Sequence, residues 1–285
     1  MLNMNKILPL CFVILWSSAF ITSKIIITDS SPFAALSLRF ALVTFGFAIY
    51  CLFLNYKFTC SFKNLFEALS TGILFHGLYL GGVFFALSKG LTAGVAALIV
   101  SLQPILTSIL AGPFLGEIIS WRQWVGIFLG FSGTILVLGF DFTSTISVIP
   151  ILSVTLALSA ATIGTLWQKK LSGKLPLAIN NTYQALGAFI FLTSIMFIFE
   201  DVFINFSYNF ILAMTWQILI VSFGAFTILM YLIKIGTASK TSNLFFLIPP
   251  VSAIMAWAFL NEYISIYDIC GLMICSCGVY IATKK

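Results

Sequence analysis

His76 is the one histidine of the chain, and it lies in the middle of a long apolar run that also contains Gly72, Gly77, Gly81 and Gly82. Tyr79 follows three residues later, so the two side chains share a face if this run is helical. An ionisable side chain inside such a run is costly and usually functional. We therefore consider ligand binding, proton exchange and a structural hydrogen bond to a neighbouring helix as its roles. No buried carboxylate accompanies it, which disfavours proton exchange.

Arg39 is the second buried-looking charge, about seven residues after Pro32 and therefore roughly 10 Å into a helix that begins there. Its long side chain can extend towards the nearer end of the helix and pair with Asp29 or another acid. Alternatively, it can anchor an anionic group of a ligand. Lys24, near the end of the first apolar run, has the same two interpretations.

Polar and aromatic residues recur within the apolar runs, and prolines mark two of these places. Gln103-Pro104 and Ile248-Pro249-Pro250 occupy corresponding places in the two halves of the chain. Proline removes a backbone hydrogen bond, and interrupted helices in both halves indicate a midplane binding site, although a simple packing kink is the alternative. The candidate ligand-binding residues are Trp16, Ser17, Arg39, His76, Tyr79, Gln103, Trp167, Tyr183, Gln184 and Asn243.

The sequence lacks the motifs that are typical of metal, nucleotide and cofactor sites. The sequence contains no HExxH, no Walker loop and no Rossmann glycine pattern, so we expect no metal, no nucleotide-driven step and no cofactor. The six cysteines form no CxxC pair and are interpreted as small apolar residues. No nucleophile–base–orienter set is recognisable around His76, so we predict no catalytic residues.

Composition places these residues in a lipid bilayer. Of 285 residues, 61% are apolar and only 8% are charged, with a mean hydropathy of +1.12. That excludes an ordinary soluble enzyme, a nucleic-acid-binding protein and a disordered chain. Because a spanning helix needs roughly 20 apolar residues, the chain is predicted to form ten spans: Lys6–Ile27, Pro32–Leu54, Leu65–Leu87, Thr92–Leu115, Trp121–Gly139, Val148–Gln168, Pro176–Phe199, Asn209–Ile233, Ser239–Leu260 and Ser265–Thr283.

The basic residues predict the orientation of these spans. With the N-terminus in the cytoplasm, every Lys and Arg except Lys24, Arg39 and Lys89 falls on the cytoplasmic side, as the positive-inside rule requires. An even number of spans returns the C-terminus to the cytoplasm. We expect a multi-pass protein of the plasma or bacterial inner membrane.

The chain contains an internal repeat. Residues 86–137 align without a gap with residues 231–282 at an offset of 145, which pairs Pro104 with Pro249 and Glu117 with Glu262. The same register pairs Gly126 with Gly271 and Gly133 with Gly278. Each repeat, residues 1–140 and 141–285, holds five predicted spans, and an odd number inverts the second copy. Inverted-topology repeats are typical of secondary transporters.

The same residues resemble the drug/metabolite transporter superfamily, in particular its ten-helix EamA-type exporters. The matching segments are Trp16-Ser17-Ser18-Ala19-Phe20, Pro32 followed by Leu38-Arg39-Phe40, residues 93–98 leading to Gln103-Pro104, Leu115-Gly116-Glu117, and Pro249 followed by Leu260-Asn261-Glu262. Ser17 and Asn261 stand where the family commonly has Gly. The resemblance implies a central cavity walled by spans one to four and six to nine, with spans five and ten peripheral.

Spans five and ten carry matched small residues: Gly126, Gly130 and Gly133 correspond to Gly271, Cys275 and Gly278. Small residues at such spacing permit close helix contact, either across a homodimer or within one bundle, and both interpretations stay open.

Together these patterns predict an all-α membrane protein of two inverted five-helix repeats that moves a small polar metabolite by alternating access. Amino acids are the leading class of solute, and export is the expected direction. The expected partners are the solute and the bilayer, and no nucleic acid. The alternatives are a membrane-embedded enzyme that uses His76, an uptake transporter for another metabolite or a nucleotide-like cofactor, and a receptor or scaffold without transport.

Overall fold

The computed structural model describes residues 4–58, 60–91, 96, 99–138, 148–260 and 265–284, and their regular structure is helical apart from two isolated β-bridges. The helices are α1 (Met4–Thr28), α2 (Pro32–Phe53), α3 (Phe62–Ser88), α4 (Gln103–Leu115), α5 (Trp121–Leu138), α6 (Val148–Leu171), α7 (Leu177–Phe199), α8 (Tyr208–Ile235), α9 (residues 238–260) and α10 (Ile266–Thr283). Except for α4, their bounds agree with the predicted spans to within a few residues. The predicted span Thr92–Leu115 is interrupted by a turn at Ser101 and Leu102, so α4 begins only at Gln103. Pro104 then stands in the first turn of α4, where its missing N–H costs nothing. The first part of the predicted span Thr92–Leu115, at residues 92–95 and 97–98, lies outside the described residues, as does Glu262.

Six of these helices, α1, α2, α3, α6, α7 and α8, are long and apolar enough to cross a membrane. The multi-pass prediction is thereby confirmed. Of the other four, α4 and the final segment of α9 have 13 residues each, and α5 and α10 have 18 each.

Local sequence explains where several helices begin and end. Pro32 opens α2, where a missing N–H costs nothing. The side chains of Ser61, Ser207 and Thr237 cap α3, α8 and α9 by accepting from the backbone N–H three residues on. Gly116 ends α4 in the left-handed region, at φ 69°.

Three helices are irregular inside the bundle. α3 contains a π-helical segment, Ile73–Leu78, and α8 contains another, Gln217–Ala225. α9 consists of Ala238–Ser242, a 3₁₀ turn at Asn243–Leu247, and Ile248–Leu260. Mid-helix irregularities of these kinds often mark functional sites.

Contacts between the two halves of the chain follow a paired pattern. α1 packs against α8 and α9, and its counterpart α6 packs against α3 and α4. α2 packs against α7, and α5 against α10. The final segment of α9 starts 145 residues after α4, and α10 starts 145 residues after α5.

The glycines of α5 and α10 face each other within the chain. A Cβ on Gly126 would collide with the Gly278 carbonyl, and one on Gly133 would lie 2.7 Å from Cys275 Sγ. Packing within one bundle is therefore what these small residues do here. A dimer through α5 and α10 would have to use other residues of these helices.

The connections define two ends of the bundle. At the first, named the Asp29 end, Ser31 N–H donates to the Phe203 carbonyl (2.9 Å), and Glu200 accepts from the N–H groups of Phe33 and Ala34 (3.0 and 3.1 Å). At the second, named the Lys169 end, Lys174 forms a 2.8 Å ion pair with Glu67. The Lys169 end takes its name from Lys169 of α6, and Glu117, which follows α4, lies at the same end.

Candidate functional site

A central cavity lies between α1, α2 and α3 of the first half and α7 and α8 of the second. Four of the predicted ligand-binding residues, Trp16, Arg39, His76 and Tyr79, line it. The cavity extends to Lys24, Ile27 and Leu87, which lie within about one turn of the Asp29 end of α1 and α3. α5 and α10 contribute none of its described lining.

The π-helical segments of α3 and α8 position two of its polar side chains. His76 lies in the first segment and Ser222 in the second. Close helix packing holds the first segment against α7, because a Cβ on Gly72 would collide with the backbone of Gln184, and one on Gly77 would lie 2.6 Å from the Phe191 ring. Apolar periodicity predicts helices here, but it does not reveal the extra residue of a π-helical turn.

Arg39 does not pair with Asp29, which corrects one of the two expectations for it. Its Nε donates to Ser222 Oγ at 3.0 Å, and its guanidinium carbon lies 5.4 Å from the Phe40 ring centroid. Asp29 instead accepts from Asn205 Nδ2 (3.2 Å) and Ser207 Oγ (2.6 Å) in the connection between α7 and α8. Arg39 is only 6% exposed and stands at the cavity wall, where a hydroxyl from the other half of the chain orients its guanidinium.

His76 is held by aromatic rings. Its ring centroid lies 4.7 Å from that of Phe40 and 4.2 Å from that of Phe226, and the residue is 5% exposed. Among the described residues, its Nδ1 has no hydrogen-bond partner. A buried polar atom without a partner calls for an explanation, and a ligand or water in the cavity supplies one.

Asn181 and Ser222 line the cavity but were not among the predicted binding residues. Asn181 Nδ2 donates to Thr227 Oγ1 at 3.3 Å, and its buried Oδ1 has no partner among the described residues. The described lining includes Lys24, Arg39 and His76 but no Asp or Glu. The cavity therefore combines cationic donors and two unpartnered polar atoms with a largely apolar wall.

Three of the predicted residues lie instead in a buried set of uncharged polar side chains between α4, α6, α7 and α9. Gln168 Oε1 accepts from Gln184 Nε2 (2.6 Å) and Asn180 Nδ2 (3.3 Å), and Gln103 Nε2 donates to Thr165 Oγ1 (3.1 Å). We name this set the polar band: Gln103, Thr107, Ser108, Thr165, Gln168, Asn180, Gln184 and Asn243.

Many buried polar atoms of the polar band have no hydrogen-bond partner among the described residues. Asn243 is 0% exposed, and neither its amide nitrogen nor its oxygen has a partner among the described residues. Within the described part of the chain, no partner is found either for Gln103 Oε1 and Gln184 Oε1 or for the hydroxyls of Thr107 and Ser108. Such groups are normally hydrogen-bonded to protein or to ordered water, so the band is suited to hydration.

The remaining three predicted residues do not line the cavity either. Ser17 Oγ donates to the Ile248 carbonyl at 3.4 Å, while the Ser17 carbonyl accepts from Ser252 Oγ, so Ser17 joins α1 to α9. Tyr183 donates to the Phe58 carbonyl at 2.9 Å, towards the Lys169 end. Trp167 is half-buried in α6.

No group of three or more His, Cys, Asp or Glu side chains that could hold a metal ion occurs within the described ranges.

Comparisons with known proteins agree on the class of protein. The sequence model of the EamA-like transporter family matches residues 6–139 and again residues 148–284. An uncharacterized transporter of Archaeoglobus fulgidus is 28% identical over 279 residues, which cover 96% of each chain. The uncharacterized transporter YvbV of Bacillus subtilis is 27% identical over 244 residues, 78% of this chain and 71% of YvbV.

The fold has a solved counterpart. A crystal structure at 17% sequence identity superposes with a TM-score of 0.84 and covers 97% of this chain and 95% of the other. The match supports the helical architecture. These findings are consistent with the drug/metabolite transporter superfamily, and they indicate a transporter rather than an enzyme. The chain belongs to the EamA-like transporter family and is a multi-pass membrane transporter.

Proposed function

We propose that this protein is a secondary transporter that exports a small polar metabolite of the amino-acid class by alternating access. The observation that carries the proposal is the central cavity, where Arg39 from one half, oriented by Ser222 from the other, stands near His76. A buried charge in such a place marks a substrate pathway in membrane proteins.

The cavity offers separate partners for the two charged groups of an amino acid. The Arg39 guanidinium suits a carboxylate, which it can bind through two parallel N–H donors. Asn181 Oδ1 and, in the tautomer that carries its proton on Nε2, His76 Nδ1 can accept hydrogen bonds from an ammonium group. The aromatic and aliphatic wall then contacts the rest of the solute.

Two observations support a pair of repeats related by inversion. The family model matches once in each half of the chain. The helix contacts are also paired, because α1 meets α8 and α9 as α6 meets α3 and α4. Two such halves can exchange outward- and inward-open arrangements around a shared site.

The charge distribution and the direction in which the cavity extends together support an outward-facing state with both termini in the cytoplasm. Four further lysines lie towards the Lys169 end: Lys57, Lys63, Lys170 and Lys240. The positive-inside rule therefore assigns this end to the cytoplasm. The cavity extends towards the opposite, Asp29 end. The polar band then provides a hydrated route to the cytoplasm in the inward-facing state.

Transport of labelled amino acids into liposomes that contain the purified protein tests the proposal. We expect the solute to move unmodified, and Arg39→Gln to raise its KM by about tenfold or more, because a hydrogen bond to a charged group is lost. Lys170→Gln, an exposed charge outside the cavity, is the matched control. Chemical conversion of the solute would instead support the enzyme alternative that uses His76.

A second experiment tests direction. Cells that express the protein are challenged with toxic amino-acid analogues. Protection relative to cells that carry the Arg39→Gln variant supports export, whereas increased sensitivity contradicts export and supports uptake.

A further inference from the structure

A second cavity, here named the side pocket, adjoins the central cavity between α1, α3 and α9. The two spaces share a wall, which is formed by five residues that line both: Trp16, Phe20, Tyr79, Val83 and Leu87. The remaining lining of the side pocket consists of Ala96, Val100, Ser101, Phe245, Ile248 and Pro249.

The side pocket lies where the fourth and ninth spans are interrupted. Ser101 belongs to the turn that precedes α4, and Phe245, Ile248 and Pro249 lie where the 3₁₀ turn of α9 passes into its final helical segment. Both halves of the chain thus contribute an irregular segment to one pocket. Its described lining contains no charged side chain.

The wall of the side pocket is preformed. The Phe245 ring centroid lies 5.7 Å from that of Trp16 and 5.5 Å from that of Phe12, so Phe245 packs against two neighbouring rings of α1. Ser17 Oγ donates to the Ile248 carbonyl, which ties this wall to α1. A preformed apolar pocket binds an apolar group without the cost of ordering its own side chains.

We infer that the side pocket holds the apolar side chain of the transported solute while Arg39 binds its carboxylate. The inference rests on the proposed function and narrows it to amino acids with large apolar side chains. A charged side chain is rejected because it would lose its hydration without gaining a partner. A small side chain leaves the pocket unfilled, and a single methylene in such a pocket changes discrimination by about 10- to 200-fold.

Competition in liposomes tests the inference. Unlabelled leucine and phenylalanine should inhibit uptake of a labelled amino acid at concentrations at least about tenfold lower than alanine, glycine or aspartate. Val100→Phe fills the pocket and should reduce the ratio of leucine to alanine affinity by about tenfold or more. Val100→Ala enlarges the pocket and should shift the preference towards tryptophan.

Val148→Phe is the matched control, because Val148 is exposed at the start of α6 and the substitution adds the same volume outside the pocket. Equal affinity for small and large side chains in the wild-type protein, or an unchanged ratio in both Val100 variants, would overturn the inference while the proposed function stands. Failure of the wild-type protein to transport any amino acid would overturn the proposed function and this inference together.

Discussion

Lys169 and Glu117 hold opposite sides of the same turn between α8 and α9. Lys169 Nζ donates to the carbonyls of Ile233 (2.9 Å) and Lys234 (3.3 Å) in the last turn of α8, and to that of Gly236 just after it. Glu117 accepts from the N–H groups of Ala238 (2.8 Å) and Ser239 (3.3 Å), at the start of α9. A cation thus lies at a helix C-terminus and an anion at a helix N-terminus, which is the favourable arrangement for both helix dipoles.

Glu117→Ala should weaken closure at the Lys169 end. The carboxylate belongs to the first half of the chain and its partners to the second, so its removal frees two backbone donors and destabilises this contact by about 0.5–2 kcal/mol. In a cysteine-free background with Asn243→Cys, we expect an impermeant maleimide added from the cytoplasmic side to react several-fold faster in the variant. Glu67→Gln, which removes the partly exposed pair with Lys174, should change this rate little. Equal rates with and without Glu117 would show that it does not maintain closure.

His76→Ala should impair transport while leaving membrane insertion normal. The substitution removes the unpartnered Nδ1 and the ring between Phe40 and Phe226. We expect a decrease in kcat/KM of at least about tenfold, comparable to the loss of a hydrogen bond to a charged group, measured in liposomes at equal protein content. His76→Phe keeps the ring packing but not the nitrogen, and should show the same defect. Unchanged transport in both variants would exclude His76 from the site.

Ser222→Ala tests whether Arg39 is positioned by its partner. The variant removes the acceptor of the 3.0 Å hydrogen bond but leaves the guanidinium in place. We expect a KM increase smaller than that of Arg39→Gln, about 2- to 12-fold from a net bond contribution of 0.5–1.5 kcal/mol, with kcat retained. Ser222→Thr, which keeps the hydroxyl, should restore the affinity. A variant as impaired as Arg39→Gln, or one that Ser222→Thr does not rescue, would contradict the positioning role.

Gly126→Ala should destabilise the protein, whereas Gly112→Ala should not. A Cβ at residue 126 collides with the backbone of α10 at Gly278, and overpacking of this kind costs about 1–3 kcal/mol. Among the described residues, a Cβ at residue 112 meets the Glu117 carbonyl alone, at 3.6 Å, which is ordinary contact. The Tm of each purified variant in detergent measures the difference. Equal Tm values would contradict the close packing of α5 and α10.

The helices were predictable because each reflects a local property of the chain. Long apolar runs between polar segments, together with Pro32 at the start of α2, predict the observed bounds closely, except for the late start of α4 after the turn at Ser101 and Leu102. The pairing of Arg39 with Ser222 was not predictable, because it joins residues 183 positions apart across a helix interface. Gln184 and Asn243 were correctly recognised as polar residues within spans, but which of them face the cavity depends on helix rotation, which composition does not determine.

The proposed mechanism requires that the two halves of the chain insert in opposite directions, and the accessibility of the repeated lysines Lys89 and Lys234 reports their orientation. Both side chains are exposed, at the ends of α3 and α8. In a cysteine-free background, we predict that Lys89→Cys reacts with an impermeant maleimide on intact cells, and that Lys234→Cys reacts only after the membrane is permeabilised. Reaction of both cysteines from the same face would contradict the inverted repeat and the alternating-access mechanism built on it.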